Sequence, residues 1–143
     1  MASKPSLALK RRLNASPEKV YEDWTQPEKM IRWWGVMGHH RSPIAETDLR
    51  VGGRFRVQFW TPDEEHHSVS GVYREISPPT KLVFSWAWQS TPERESQVTI
   101  DLKPDDGGTL LTLTHEQFFD EKARDGHRGG WGRALDKLEE LFA

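Results

Sequence analysis

The sequence predicts an α+β fold in which one antiparallel sheet wraps around a long terminal helix. Three observations carry this expectation. Six short segments of β character, each closed by a turn signal, fill residues 44–116. Connections that short force antiparallel neighbours, since a parallel return needs about a dozen residues or more. At the end of the chain Trp131, Leu135, Leu138 and Phe142 recur at steps of four, three and four, the apolar stripe of an amphipathic helix.

Taken in order, residues 7–13 read as a strand, with Leu7, Leu9, Arg11 and Leu13 alternating against Ala8, Lys10 and Arg12. Ser16-Pro17-Glu18 opens a short helix, with a serine cap, proline at the first helical position and an acid in the first turn. Val20 and Trp24 mark its buried face. Thr25-Gln26-Pro27-Glu28 has capping-box spacing and predicts a second helix carrying Met30, Ile31, Trp33 and Trp34, ended by Gly35 and Gly38.

The strands are then 44–50, 53–60, 67–76, 81–88, 95–103 and 108–116, a meander that the first strand extends. Val51-Gly52, Pro62-Asp63, Ser77-Pro78-Pro79, Thr91-Pro92 and Asp105-Asp106-Gly107 punctuate it. A helix over about 128–142 closes the chain. Alternation makes the sheet one-sided. Phe55, Val57 and Phe59 oppose Arg54, Arg56 and Gln58, while Leu82, Phe84, Trp86 and Trp88 share a face. Val98, Ile100 and Leu102, then Leu111, Leu113 and His115, continue that apolar face. The terminal helix is its natural cover.

The 143 residues contain no linker, repeat or low-complexity stretch, so a single domain over 1–143 is expected. Only 35% of the residues are apolar, yet seven are tryptophan and six phenylalanine, so large rings must build the core. A net charge of −2 with both signs interspersed argues against a general nucleic-acid binder or a polybasic membrane-surface protein. Lys10-Arg11-Arg12 is too short to change that balance. With no cysteine, disulfides, thiolate metal ligands and a cysteine nucleophile are excluded. No apolar run approaches the roughly 20 residues needed to cross a bilayer, and Met1–Ser6 lacks the apolar core of a secretion signal. The expectation is a cytoplasmic protein without membrane insertion, monomeric or weakly homodimeric.

Several short motifs occur in a telling order: Asp48-Leu49-Arg50-Val51-Gly52-Gly53-Arg54-Phe55, Gly71-Val72-Tyr73-Arg74-Glu75-Ile76 and Lys81-Leu82-Val83-Phe84-Ser85-Trp86. Gly108-Thr109-Leu110-Leu111-Thr112-Leu113-Thr114-His115 and Gly130-Trp131 follow. The series resembles the bacterial relatives of the activator of heat-shock protein 90 ATPase, within the SRPBCC (START-like) superfamily. The resemblance covers almost the whole chain. It implies the helix-grip fold of START-like and birch-pollen-allergen-like proteins, with two small helices after the first strand. It does not imply one chemistry, because that superfamily includes binders, transfer proteins and enzymes.

A ligand cavity between sheet and terminal helix is the leading functional expectation. The residues expected to line it are Trp33, Trp34, Phe59, Tyr73, Phe84, Trp86, His115, Phe118, Trp131 and Leu135, with Trp88 and Phe119 in the wider aromatic set. The competing reading is that the same rings fill the core. Gly129, Gly130 and Gly132 mark either a flexible mouth, a close approach of helix to strand or an irregular helix start. His115 could orient a polar ligand group or act as a general acid/base, although a structural bond to a loop backbone is the plainer reading. Its replacement by phenylalanine is expected to leave the fold intact. The pairs His39-His40 and His66-His67 point to opposite faces and cannot readily chelate as units, so no metal or other cofactor is expected. No nucleophile stands out: Ser85 alternates away from the cavity and lacks a partnered base.

Binding of a small hydrophobic or aromatic ligand therefore leads. An enzyme of polyketide cyclase or hydrolase type using the same cavity is the first alternative. A chaperone-ATPase-activator-like interaction module, suggested by resemblance alone, is the second.

Overall fold

The computed structural model describes residues 4–34 and 42–143; Gly35, Gly38 and the His39-His40 pair lie outside the described residues. In chain order the elements are β1 (Leu7–Leu13), α1 (Pro17–Thr25), α2 (Pro27–Met30), β2 (Ile44–Thr47) and β3 (Arg54–Trp60). They continue with β4 (His66–Ser77), β5 (Lys81–Trp88), β6 (Ser96–Asp105), β7 (Gly108–Glu116) and α3 (Glu121–Leu141). The seven strands form one sheet in the order β1-β7-β6-β5-β4-β3-β2, antiparallel at every pairing. This curved sheet with its C-terminal helix is the helix-grip fold. Among the described residues, no helix is long and apolar enough to cross a membrane.

Local chemistry explains where the elements differ from expectation. Ser16 caps α1 through its hydroxyl, which accepts from the Lys19 amide at 3.3 Å. Thr25 does not cap α2. It is the last residue of α1, and its hydroxyl donates to the Tyr21 carbonyl at 2.9 Å, so the side chain is already committed. Gln26 takes the cap position without a side-chain bond, and α2 is a single turn. Two further backbone bonds to the Met30 carbonyl, from Trp33 and Trp34, carry the two indoles into place. β2 stops at Thr47 rather than 50, because the Asp48 amide bonds the Arg54 carbonyl and Arg50 folds back on Asp48.

The largest difference is at α3. It begins at Glu121 instead of about 128, capped by the Asp120 carboxylate, which accepts from the Ala123 amide at 2.8 Å. Gly126, Gly129, Gly130 and Gly132 therefore lie inside a continuous helix of 21 residues. They serve no close approach: a β-carbon at Gly126, Gly130 or Gly132 would meet nothing within 4 Å.

Close approach occurs instead at Gly71, where a β-carbon would sit 1.8 Å from the Ser85 carbonyl oxygen. The β4–β5 pairing shifts between Tyr73 and Glu75, and the buried Ser85 hydroxyl fills the gap by accepting from the Val72 amide at 2.8 Å. Ser85 is thus a part of the sheet's bend. Beyond it, Trp86 and Trp88 at the end of β5 both bond His127 of α3.

The C-terminal half of α3 closes the core. Trp131, Leu135 and Leu138 are buried against Leu111, Leu113 and the rest of the concave face. Arg11 on β1 pairs with Asp136 and Glu139 beside that stripe. Leu135 and Leu138 are both 0% exposed. Leu138→Ala is expected to lower unfolding stability by about 2–5 kcal/mol, read from urea denaturation. A loss below about 0.5 kcal/mol would show that the stripe does not bear on the core.

Candidate functional site

The N-terminal half of α3 leaves space against the sheet. A cavity of about 970 Å³, open to solvent, runs between this half-helix, the end of β5 and the segments that follow β3 and α2. Its walls are mainly apolar. Trp33 and Trp34 come from the turn after α2, Phe59 and Pro62 from the end of β3, and Trp86 and Trp88 from β5. The helix supplies Ala123, Gly126, His127, Gly130, Trp131 and Ala134, and the rim carries Arg94, Asp120, Lys122 and Arg133.

The glycines now have a place in the geometry. Gly126, Gly130 and Ala134 recur every fourth residue, so they share one helical face, and all three line the cavity. Larger side chains there would fill it.

Five of the expected residues lie in the cavity wall: Trp33, Trp34, Phe59, Trp86 and Trp131. Tyr73, Phe84, His115, Phe118 and Leu135 pack behind that wall as buried core. Tyr73 and Phe84 meet edge-on at 6.4 Å, Phe118 lies 4.1 Å from the His115 ring, and Leu135 sits one turn beyond Trp131. The sequence reading did not include His127, the rim cations or the glycine face. His127 sits among glycines with no apolar periodicity around it, and its partners lie about forty residues away.

Two histidines hold the wall rigid. The Trp131 indole N–H donates to His115 Nδ1 at 3.0 Å. An indole nitrogen is only ever a donor, so Nδ1 must be unprotonated and Nε2 must carry the hydrogen. Nε2 then donates to the Ser96 hydroxyl at 2.7 Å, which in turn donates to the Trp86 carbonyl at 3.3 Å. The bond is thus to Ser96 and Trp131, not to a loop backbone. Replacing His115 by phenylalanine would strand the Trp131 N–H and unlink Ser96, at an expected cost of about 1–3 kcal/mol of stability.

His127 repeats the logic from the helix side. Its Nε2 accepts from both Trp88 (2.8 Å) and Trp86 (3.2 Å), which places its hydrogen on Nδ1, facing the Ala123 carbonyl at 2.7 Å. These bonds tie the glycine-rich half of α3 to β5. Both imidazoles are neutral. Burial lowers the His115 pKa to about 2, with nearby His127 adding to the shift. Desolvation lowers His127 as well, opposed by its bond to the Ala123 carbonyl. Neither ring has a nitrogen left over for proton transfer.

The indoles pack on one another in turn. Trp34 stacks parallel on Trp86 at 5.7 Å with a 3° interplanar angle, and Trp131 lies 5.0 Å from Trp86. The Trp33 N–H donates to the Asp23 carbonyl at 2.9 Å. Among the described residues, Trp34 is the one lining indole that makes no hydrogen bond.

Residues 14–143 match the model of a family described as Activator of Hsp90 ATPase homolog 1-like protein. Among solved structures, protein CV1439 from Chromobacterium violaceum is 24% identical, with a TM-score of 0.82 and 96% of each chain covered. CalU16 from Micromonospora echinospora is 28% identical, with a TM-score of 0.76, covering 96% of this chain and 76% of that one. The AHSA1 protein from Silicibacter pomeroyi is 26% identical, with a TM-score of 0.80 and 96% of each chain covered. No curated protein matches.

Proposed function

Since the chain belongs to the activator of Hsp90 ATPase homologue 1-like family, whose fold suits both binders and enzymes, we propose that it is a small-molecule binding domain. The ligand is hydrophobic, aromatic or alicyclic, and occupies the cavity under the N-terminal half of α3. One observation carries this reading: a cleft of about 970 Å³ walled by five indoles, within the range of small-molecule sites. The glycine face supports it, because each glycine inside a helix costs about 0.8–1 kcal/mol relative to alanine. Here that cost purchases no packing, only space. Catalysis is the weaker reading, as His115 and His127 spend every ring nitrogen on internal bonds.

The family's name associates it with a chaperone ATPase. An interaction surface of that kind would use exposed apolar side chains away from the cavity, and Ile44, Leu49 and Val51 lie exposed on or beside the edge strand β2. They are single side chains spread along a strand and a turn. The cavity is the better-built site.

A thermal-shift screen of aromatic and alicyclic compounds, run beside Gly130→Leu, tests the proposal. A true ligand at one hundred times its Kd should stabilise the wild type by about 2.7 kcal/mol. Gly130→Leu should melt no lower than wild type, because leucine favours the helix and its β-carbon meets no atom within 4 Å. It should also lose the ligand shift. A full shift in that variant would move the site out of this cavity.

A further inference from the structure

The cavity's rim carries an imbalance of charge. Arg94, Lys122 and Arg133 line it against one acid, Asp120, in a protein whose net charge is −2. Several arginines elsewhere are matched, Arg11 with Asp136 and Glu139, Arg12 with Asp105, Arg32 with Asp23, and Arg74 with Glu95, while Arg54, Arg56 and Arg128 form no ion pair among the described residues. Among the described residues, the three rim cations form no ion pair. The Asp120 carboxylate caps α3 through Oδ1 and is the acid that partly offsets them.

The cations also have an arrangement. Lys122 and Arg133 are eleven residues apart on α3, three turns, so they share one face about 16 Å apart. One carboxylate cannot reach both. Arg94 lies with its guanidinium carbon 3.9 Å from the centre of the Phe119 ring, immediately before the start of α3. Arg94 and Lys122 therefore gather at the amino end of a 21-residue helix, where the helix dipole adds positive potential. Between the two ends the wall is nearly without polarity, since four of its five indole N–H groups are bonded within the protein. A charged group placed mid-cavity would lose its hydration for almost nothing. At the Arg94 end it would keep water and gain two cations.

Resting on the proposed ligand-binding function, we infer that the ligand is an elongated amphiphilic acid. Its flat apolar body lies along the indoles, and its anionic head sits at Arg94 and Lys122. A carboxylate, sulfonate or sulfate head satisfies the same chemistry.

Two fluorescent probes that share a ring system separate the two claims. The anionic probe is 8-anilinonaphthalene-1-sulfonate and the neutral one is N-phenyl-1-naphthylamine. Wild type should bind the anion about tenfold more tightly than the neutral probe at low salt, a ratio set by partly exposed ion pairs. In the double variant R94Q/K122Q that ratio should collapse towards one. Raising sodium chloride from about 20 to 500 mM should compress it in wild type by screening, with no substitution at all. Gly130→Leu should weaken both probes together. If both probes bind the cavity with the same ratio in wild type and R94Q/K122Q, the head-group assignment is overturned while the cavity stands. If neither probe binds, or Gly130→Leu affects neither, the cavity reading fails and this inference fails with it.

Discussion

Trp131→Ala is expected to be among the most damaging single substitutions in the chain, costing about 3–5 kcal/mol of stability. Three features add up at this residue. The side chain is 4% exposed and touches Trp24, Trp34 and Trp86, with ring centroids between 5.0 and 5.8 Å away, so truncation opens a void where several rings meet. It also removes the donor to His115 Nδ1 and leaves a buried acceptor without a partner. Finally it removes the first large residue of the stripe that clamps α3 to the sheet. Trp131→Phe separates these contributions, because it keeps most of the ring but not the N–H. It is expected to cost about 1–3 kcal/mol. Urea denaturation of both variants measures the two costs. A loss below about 1 kcal/mol for the alanine variant would mean that Trp131 belongs to a loose wall, not to the core.

Acid should produce the second large effect. His115 and His127 must both be neutral to accept indole hydrogens, and burial holds both pKa values below the usual 6.5, His115 at about 2. The unfolded chain therefore takes up protons near pH 6.5 that the folded chain refuses. Stability is full above that value and falls as the pH drops below it. For His115 alone the slope is about 1.4 kcal/mol per pH unit between roughly 6.5 and 2. His127 adds to this slope until its own lowered pKa is passed. Asp23 acts in the opposite sense above its usual 3.8, because burial raises its carboxyl pKa in spite of the pairing with Arg32. Denaturation at pH 7, 6 and 5 tests the sign, and equal stability at all three would remove the neutral-histidine network. Since His127 staples the cavity's roof to β5 for as long as it is neutral, probe binding to the folded protein should hold through this interval and fall only below the lowered His127 pKa.

The sheet was legible in the sequence because its signals are local. Alternating apolar residues and turn punctuation set every strand from β3 to β7 within a few residues, and the apolar steps from Trp131 onwards marked the clamped half of α3. The other half of that helix was not legible. Residues 121–130 show no apolar stripe because that face borders open space, and four glycines between 126 and 132 read as punctuation. The signal that could have corrected this was Asp120, a good capping residue three positions before Ala123. For the site, aromatic composition pointed to the right neighbourhood but could not separate wall from core. Phe84 and Trp86 share one face of β5, yet only Trp86 reaches the cavity, because the distinction depends on how far α3 stands from the sheet at each position. His127 was invisible for a related reason, as its meaning comes from two tryptophans on a strand far away in the chain.

The strand order has a consequence in time as well as in space. β1 pairs with β7, so Leu7 lies opposite His115, more than one hundred residues later in synthesis. As the chain leaves the ribosome, the first strand made is the last to gain a partner. The strands from β2 to β7 can zip as successive hairpins, each closing a short loop, while β1 waits in water for the final one. An unpaired apolar strand invites pairing with other chains, and interspersed charge is the usual protection. Lys10, Arg11 and Arg12 supply that charge within β1 itself. The basic trio that meant little as a binding signal is thus charge of the kind that keeps an unpaired strand from pairing with other chains.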